Sequence, residues 1–479
     1  MLVTSIIVLL FSFSPAAAQN RLIEITSAET PVFANIGTTE YDARLFRGSI
    51  VTATEMKDGW YHVRLRNGID GWVPNWVCTE LRGQKTPPPY FPENFAPTSE
   101  NPAYAAVIAE ETPLRSIPYS GLQAKRDVSR IGILTKGTVV KVTDAIFHWL
   151  RVELSPWEIG WVYDEAVRPA APQEAKNARA QITAVDYGED NDIKYIEFTI
   201  THPAPFILRA STMPFLVWFS LYSIDCQNLP AEFHSAPNMP SGVMLLCDPQ
   251  SSTVTGMIYA PGSPAGYSAE MKEEKFRITA ETADPALRTP HNAPLIVLDP
   301  GHGAPDPTPK GFREGAASAD GKLKEKNLTL DIARRLKDKL ERAGYRVAMT
   351  REGDSAEMMD LYRRVEFADQ LDADLFISIH INGDTDTKMS GAEVYWYDPV
   401  SRPLAEHIAS QMRSLATREP GKSIYASFAV IRQTRRPAVL VEAAYLSNPT
   451  EAKKLASEDS REKIADEISL GIQDFLSGF

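Results

Sequence analysis

Cysteine is scarce in this sequence: Cys78, Cys226 and Cys247 are the three in 479 residues. That excludes a disulfide-dense scaffold, and no pair has the spacing of a thiolate metal site. Excess positive charge is missing as well. Lys and Arg total 50 against 62 Asp and Glu, a formal net charge of -12. A general nucleic-acid binder is thereby excluded, because phosphate binding rests on clustered cations. Beyond the first twenty residues the apolar runs stay short, Phe215 to Phe219 for example. A bilayer needs about 20 in a row, so no stable membrane span is expected. Glycine (27) is outnumbered by proline (35), which argues for Pro-rich joints between compact units.

The hydrophobic share of 43% and charged share of 23% are those of packed globular chains. The length implies three or four domains at about 100–200 residues each. Residues 1–18 read as a signal peptide: an apolar core (Val8, Leu9, Leu10, Phe11) runs to the small triplet Ala16-Ala17-Ala18. The expectation is an exported protein, in the periplasm or at the cell wall, in a compartment where cysteines tend to pair. Whether Cys226 and Cys247 form a bridge is left open by the sequence. Cys78 is expected as a small buried hydrophobe.

An internal repeat follows. Gly59-Trp60-Tyr61-His62-Val63 precedes Gly71-Trp72-Val73, and His148-Trp149-Leu150-Arg151-Val152 precedes Gly160-Trp161-Val162. In both copies the tryptophans lie twelve positions apart and open short alternating strands. The two segments, 21–82 and 103–170, resemble bacterial SH3-like domains, which implies two small β-barrels. Most of the tryptophans are expected in their cores, with some aromatic surface free to engage the cell wall. Residues 83–102, with six prolines from Pro87 to Pro102, read as an extended linker. Further joints are expected at 167–180 and 280–294. They bound a β-rich segment, 181–280, whose strand-like runs imply a β-sandwich.

From Leu295 strands and helices alternate. Leu295-Ile296-Val297-Leu298 is unbroken apolar, the mark of a strand buried on both faces. Helices are expected over 327–343, 361–371, 402–417 and 450–476. Strands are expected at 345–349, 375–379, 393–397 and 438–441. This pattern implies an α/β domain with a mainly parallel sheet. His302 follows the first strand, while His380 and Glu442 each end a later one. The carboxyl edge of such a sheet is where ligands bind. Two histidines with a carboxylate suit Zn2+. Glu325, at the start of the first helix, belongs at that same edge.

Residues 294–479 resemble the zinc-dependent N-acetylmuramoyl-L-alanine amidases of the amidase_3 type. The resemblance rests on LDPGHG (298–303), KEKNLTLDIA (324–333), TREGD (350–354), LYRRVEFADQLDADLFISIHING (361–383) and AVLVEAAYLSN (438–448). It implies hydrolysis of the amide between N-acetylmuramic acid and L-alanine in peptidoglycan. The zinc ligands would be His302, Glu325 and His380, and the catalytic residue Glu442. Arg364 and Asn382 fall on recurrent polar positions whose roles the resemblance leaves open, as it does any regulatory protein partner.

Three departures stand out. Ala444-Tyr445 replaces the usual Gly-Phe after the catalytic glutamate. The stretch from His302 to Glu325 is long and Pro-rich, which implies an extra loop at the cleft rim. No long helical insertion follows His380, whereas family members held off by a blocking helix carry one there. Two rival readings remain: a non-catalytic wall-binding scaffold, and a zinc peptidase acting on stem peptides.

Overall fold

The computed structural model describes residues 21–477, apart from 28, 37, 39–40, 66–68, 82–90, 92–94, 119–128, 191–192, 228, 230–240, 273, 284–292, 304–313, 356–359 and 435. The leader expected at 1–18 lies outside the described residues, as does most of the first half of the 83–102 linker.

Both Trp repeats fold as antiparallel hairpins. Trp60–Arg64 pairs with Asp70–Pro74, and Trp149–Ser155 pairs with Glu158–Tyr163. The glycine before the second tryptophan is a packing requirement in each copy. A Cβ at Gly71 would stand 2.6 Å from Val32, and one at Gly160 would stand 2.4 Å from Leu114. Trp60 and Trp161 are buried, and Trp60 packs edge-on against Phe33 and Trp76. Trp157, at one hairpin tip, is 73% exposed, and Phe147, at the turn on the other end of the strand Trp149–Ser155, is 94% exposed.

The two repeats are not beads on a string. Their apolar residues form one continuous cluster, and Phe46 of the first meets Tyr163 of the second. Phe91, in the Pro-rich stretch, is buried in the same cluster and packs on Phe95. An aromatic with a core to enter ties down a segment whose prolines alone would leave it extended. The joint expected at 167–180 is likewise partly regular. Val167–Pro169 pairs with Ala105–Val107, and Pro172–Lys176 is a short helix.

Residues from Ile182 to Ala283 form two four-stranded antiparallel sheets whose facing side chains share one core. Phe198, Phe206, Phe219 and Phe276 meet there. One of these sheets continues into the second repeat through the pairing of Ile133 with Phe206. Cys226 and Cys247 are joined by a disulfide. Cys78 is free and half-buried, its thiol donating to Pro74 O.

The last unit contains strands β1 (Leu295–Pro300), β2 (Arg346–Met349), β3 (Leu375–Asn382), β4 (Glu393–Trp396), β5 (Lys422–Tyr425) and β6 (Ala438–Tyr445). Their spatial order is β2-β1-β3-β6-β4-β5, parallel throughout except where β4 meets β6. Helices α1 (Glu325–Arg342), α3 (Arg402–Gln411) and α5 (Glu458–Ser477) cover one face. Helix α2 (Leu361–Gln370) covers the other. Ile296 and Leu298 point to the first layer and Val297 to the second, so the apolar run of β1 is buried from both sides.

Two helices differ from expectation. α3 stops at Gln411 rather than 417, because Met412 turns extended into the core and Ser414 with Glu451 captures the N–H of Ala416. The 450–476 helix is two helices, α4 (Pro449–Leu455) and α5. Ser457 before Glu458-Asp459 is a helix-start pattern, and a second helix begins there. Strand β5 carries too little apolar alternation to be legible in the sequence.

Candidate metal centre

β1 ends at Pro300, and after Gly301 the chain turns sharply at His302, whose φ is +60°. Few non-glycine residues adopt this left-handed conformation unless their surroundings hold it. Here the hold is a buried polar network. Arg364, from α2, donates to Asp299 Oδ1 at 2.6 Å, Pro300 O at 2.9 Å and His302 O at 2.7 Å. Arg351 donates to Pro300 O at 2.8 Å and Gly301 O at 2.9 Å. Thr350 and Ser378 complete the shell of Asp299, each at 2.7 Å. Burial alone would push the Asp299 carboxyl up, but Arg364, Thr350 and Ser378 hold it below its ordinary value.

Glu325, the first residue of α1, turns its carboxylate inward and is only 4% exposed. Its Oε1 lies 2.9 Å from His380 Nδ1, and its Oε2 lies 3.2 Å from His302 Nε2. Backbone donors fix the same oxygens: Ile381 N on Oε1 at 3.0 Å and Ala316 N on Oε2 at 2.7 Å. Burial raises the carboxyl, yet the imidazoles of His302 and His380 outweigh it and hold Glu325 well below the usual carboxylate range. The two rings meet edge-on with centroids 5.1 Å apart. Ligand atoms of His302, Glu325 and His380 all fall within 4.8 Å of one another. The His380 ring occupies space that only Gly301 leaves free, since a Cβ there would stand 2.3 Å from His380 Cε1.

Glu442 is on β6, paired in register with His380 on β3 and with Glu393 on β4. Paired residues of neighbouring strands project to the same side of a pleated sheet. Asn382 donates to Glu393 Oε2 at 3.2 Å and so orders the carboxylate across from Glu442. Residues 383–392, which follow β3, contain no helix. The Pro-rich rim, 304–313, lies outside the described residues.

Sequence reasoning did not find the roles of Asp299, Arg351, Thr350 and Ser378, although all four lie in quoted motifs. A buried ion pair between residues 65 apart in sequence leaves no periodic signature.

The fold and this edge define an α/β domain with two histidines and a carboxylate gathered at the carboxyl ends of its parallel strands, a set apt for a divalent metal. Residues 296–474 match the family model described as N-acetylmuramoyl-L-alanine amidase. The chain is 33% identical over 199 residues to the germination-specific N-acetylmuramoyl-L-alanine amidase of Bacillus subtilis, covering 38% of this chain and 80% of that one. It is 35% identical over 197 residues to the probable cell wall amidase LytH of Staphylococcus saprophyticus, covering 40% of this chain and 63% of that one. Among solved structures it is similar to the amidase AmiC2 of Nostoc punctiforme, at 34% identity and a TM-score of 0.34, over 38% of this chain and 97% of that one. The chain belongs to the N-acetylmuramoyl-L-alanine amidase family.

Proposed function

We propose that the protein is an exported peptidoglycan hydrolase that cleaves the amide between the lactyl group of N-acetylmuramic acid and L-alanine of the stem peptide. The observation that carries this reading is the convergence of His302, Glu325 and His380 within 4.8 Å, in a domain of this family. The donor set fits Zn2+: two imidazoles and a buried carboxylate, with both carboxylate oxygens already turned toward the rings. When bound, zinc supplies Lewis-acid polarisation of a carbonyl and acidifies water. Glu442 takes the proton of the attacking water and delivers it to the departing nitrogen, without which the amine is a poor leaving group. Its support is its position beside His380 in the sheet. Arg364 and Arg351 keep His302 in its turned conformation, and Asn382 orders Glu393 opposite the base.

The two N-terminal segments, 21–82 and 103–170, are SH3-like tethers that raise the local concentration of the site on an insoluble substrate. Exposed Phe147 and Trp157 suit that task. Export is supported by the Cys226–Cys247 bridge, which belongs to an oxidising compartment. The helix-free span after His380 supports an enzyme that needs no activator to uncover its site.

The deciding experiment is mass spectrometry of digested peptidoglycan with and without chelator. Free stem peptide and intact glycan, both lost on chelation, are expected. Peptides cut internally would indicate a zinc peptidase instead, and no products at all would leave a wall-binding scaffold. Glu442→Gln should keep one zinc per chain and lose most activity, and His302→Ala should lose both. Wild-type turnover by Glu442→Gln removes Glu442 from the mechanism.

A further inference from the structure

The second repeat, the β-sandwich and the amidase-family unit meet around a cleft of about 1140 Å³. It lies away from the His302–Glu325–His380 cluster. Trp396, on its wall, pairs with Val439 near the start of β6, so it sits at the sheet edge opposite Glu442. The cleft therefore does not belong to the reacting site.

Two guanidinium groups from distant parts of the chain, Arg130 and Arg432, line this one space and repel each other. Arg130 Nη1 is buried and has no hydrogen-bond partner among the described residues. Five carboxylates line the cleft, Glu111 and Asp369 among them, and none hydrogen-bonds this nitrogen. Glu110 is engaged by Lys136 at 2.6 Å, Glu366 by Arg47 at 2.5 Å, and Asp398 accepts from Tyr267. Burial first, then Arg432, pushes the Arg130 guanidinium down to about 10, while the Tyr362 and Tyr397 hydroxyls beside it act the other way. The group stays cationic at neutral pH. A buried charge without a counter-ion is costly, and an anion received between the two arginines removes that cost. Trp218 and Trp396 supply flat apolar walls in the same cleft, the usual mix of a ligand site.

We propose that this cleft is a second binding site, in which Arg130 and Arg432 receive a carboxylate of a peptidoglycan stem peptide while Trp218 and Trp396 hold its apolar part. The ligand class rests on the amidase reading; the anion site itself rests on the arginines. Lying on the far edge of the sheet, the site would hold a neighbouring or already released stem peptide rather than the one being cut.

The test is calorimetric titration of an L-alanyl-γ-D-glutamyl tetrapeptide, which lacks the muramoyl amide and so is not a substrate, into full-length protein. At least tenfold weaker binding is expected when Arg130→Gln is added, with recovery in Arg130→Lys. Ligand-free Arg130→Gln should melt no lower than its parent, because it removes an uncompensated charge. Equal affinity with and without Arg130→Gln overturns the proposal. So does a lower melting temperature or failure to fold, either of which would make Arg130 a structural residue. Arg130-dependent binding of inorganic phosphate, with none of the tetrapeptide, overturns the stem-peptide assignment. Binding retained in His302→Ala keeps this outcome separate from the amidase reading, which product analysis decides.

Discussion

At the scale of the residue, the candidate centre depends on positions that carry no reactive group. Gly301 is one. It leaves room for the His380 ring, and an added methyl would stand 2.3 Å from Cε1. Gly301→Ala should therefore lower zinc affinity by about tenfold or more while the fold persists, as expected when the support of a ligand is disturbed. Metal titration alongside circular dichroism checks both halves. Arg364 is another. It is buried with Asp299, and its replacement leaves an unpaired carboxylate in the interior. Arg364→Met should cost about 3–5 kcal/mol of stability, read by urea unfolding. A loss no larger than that of a surface substitution would show that Thr350 and Ser378 suffice for Asp299.

At the scale of the element, contacts between units place titratable groups in unusual surroundings. Asp398 follows β4 and accepts a hydrogen bond from Tyr267 of the sandwich. Burial pushes its carboxyl up to about 6, and the Tyr267 bond only partly offsets this. The folded chain thus binds a proton more tightly than the unfolded one, so stability falls as pH rises from about 4 to about 6. Asp398→Asn should flatten that segment of a melting-temperature profile. An unchanged slope would place the titration elsewhere. The disulfide acts at the same scale: it ties the segment after Leu221 to the strand Val243–Asp248.

At the scale of the whole molecule, the N-terminal repeats, proposed above as tethers, are also structural partners. They share a core with each other, and Arg47 of the first pairs with Glu366 on α2. Deleting them would expose buried surface, so the proposed tethering is better tested on the outside. Phe147→Ser combined with Trp157→Ala removes two largely exposed aromatics. The double variant should be retained several-fold less on insoluble wall, with turnover of soluble muropeptides unchanged. Equal pulldown would assign wall affinity to another surface.

What the sequence determined by itself follows from its periodicities and local spacings. The two Trp-Gly-Trp repeats, the two-sided burial of β1, the start of α1 and the three strand-end polar residues are all properties of short stretches. They were legible because strand and helix periods, and the direction in which a parallel strand ends, are local rules. The tertiary structure alone decided the rest: the support of His302 by Arg364 across 62 positions, the anchoring of the Pro-rich stretch by Phe91, the Cys226–Cys247 pairing, and the meeting of Arg130 with Arg432. Each depends on which surfaces meet, and burial and charge act through space whatever the separation along the chain.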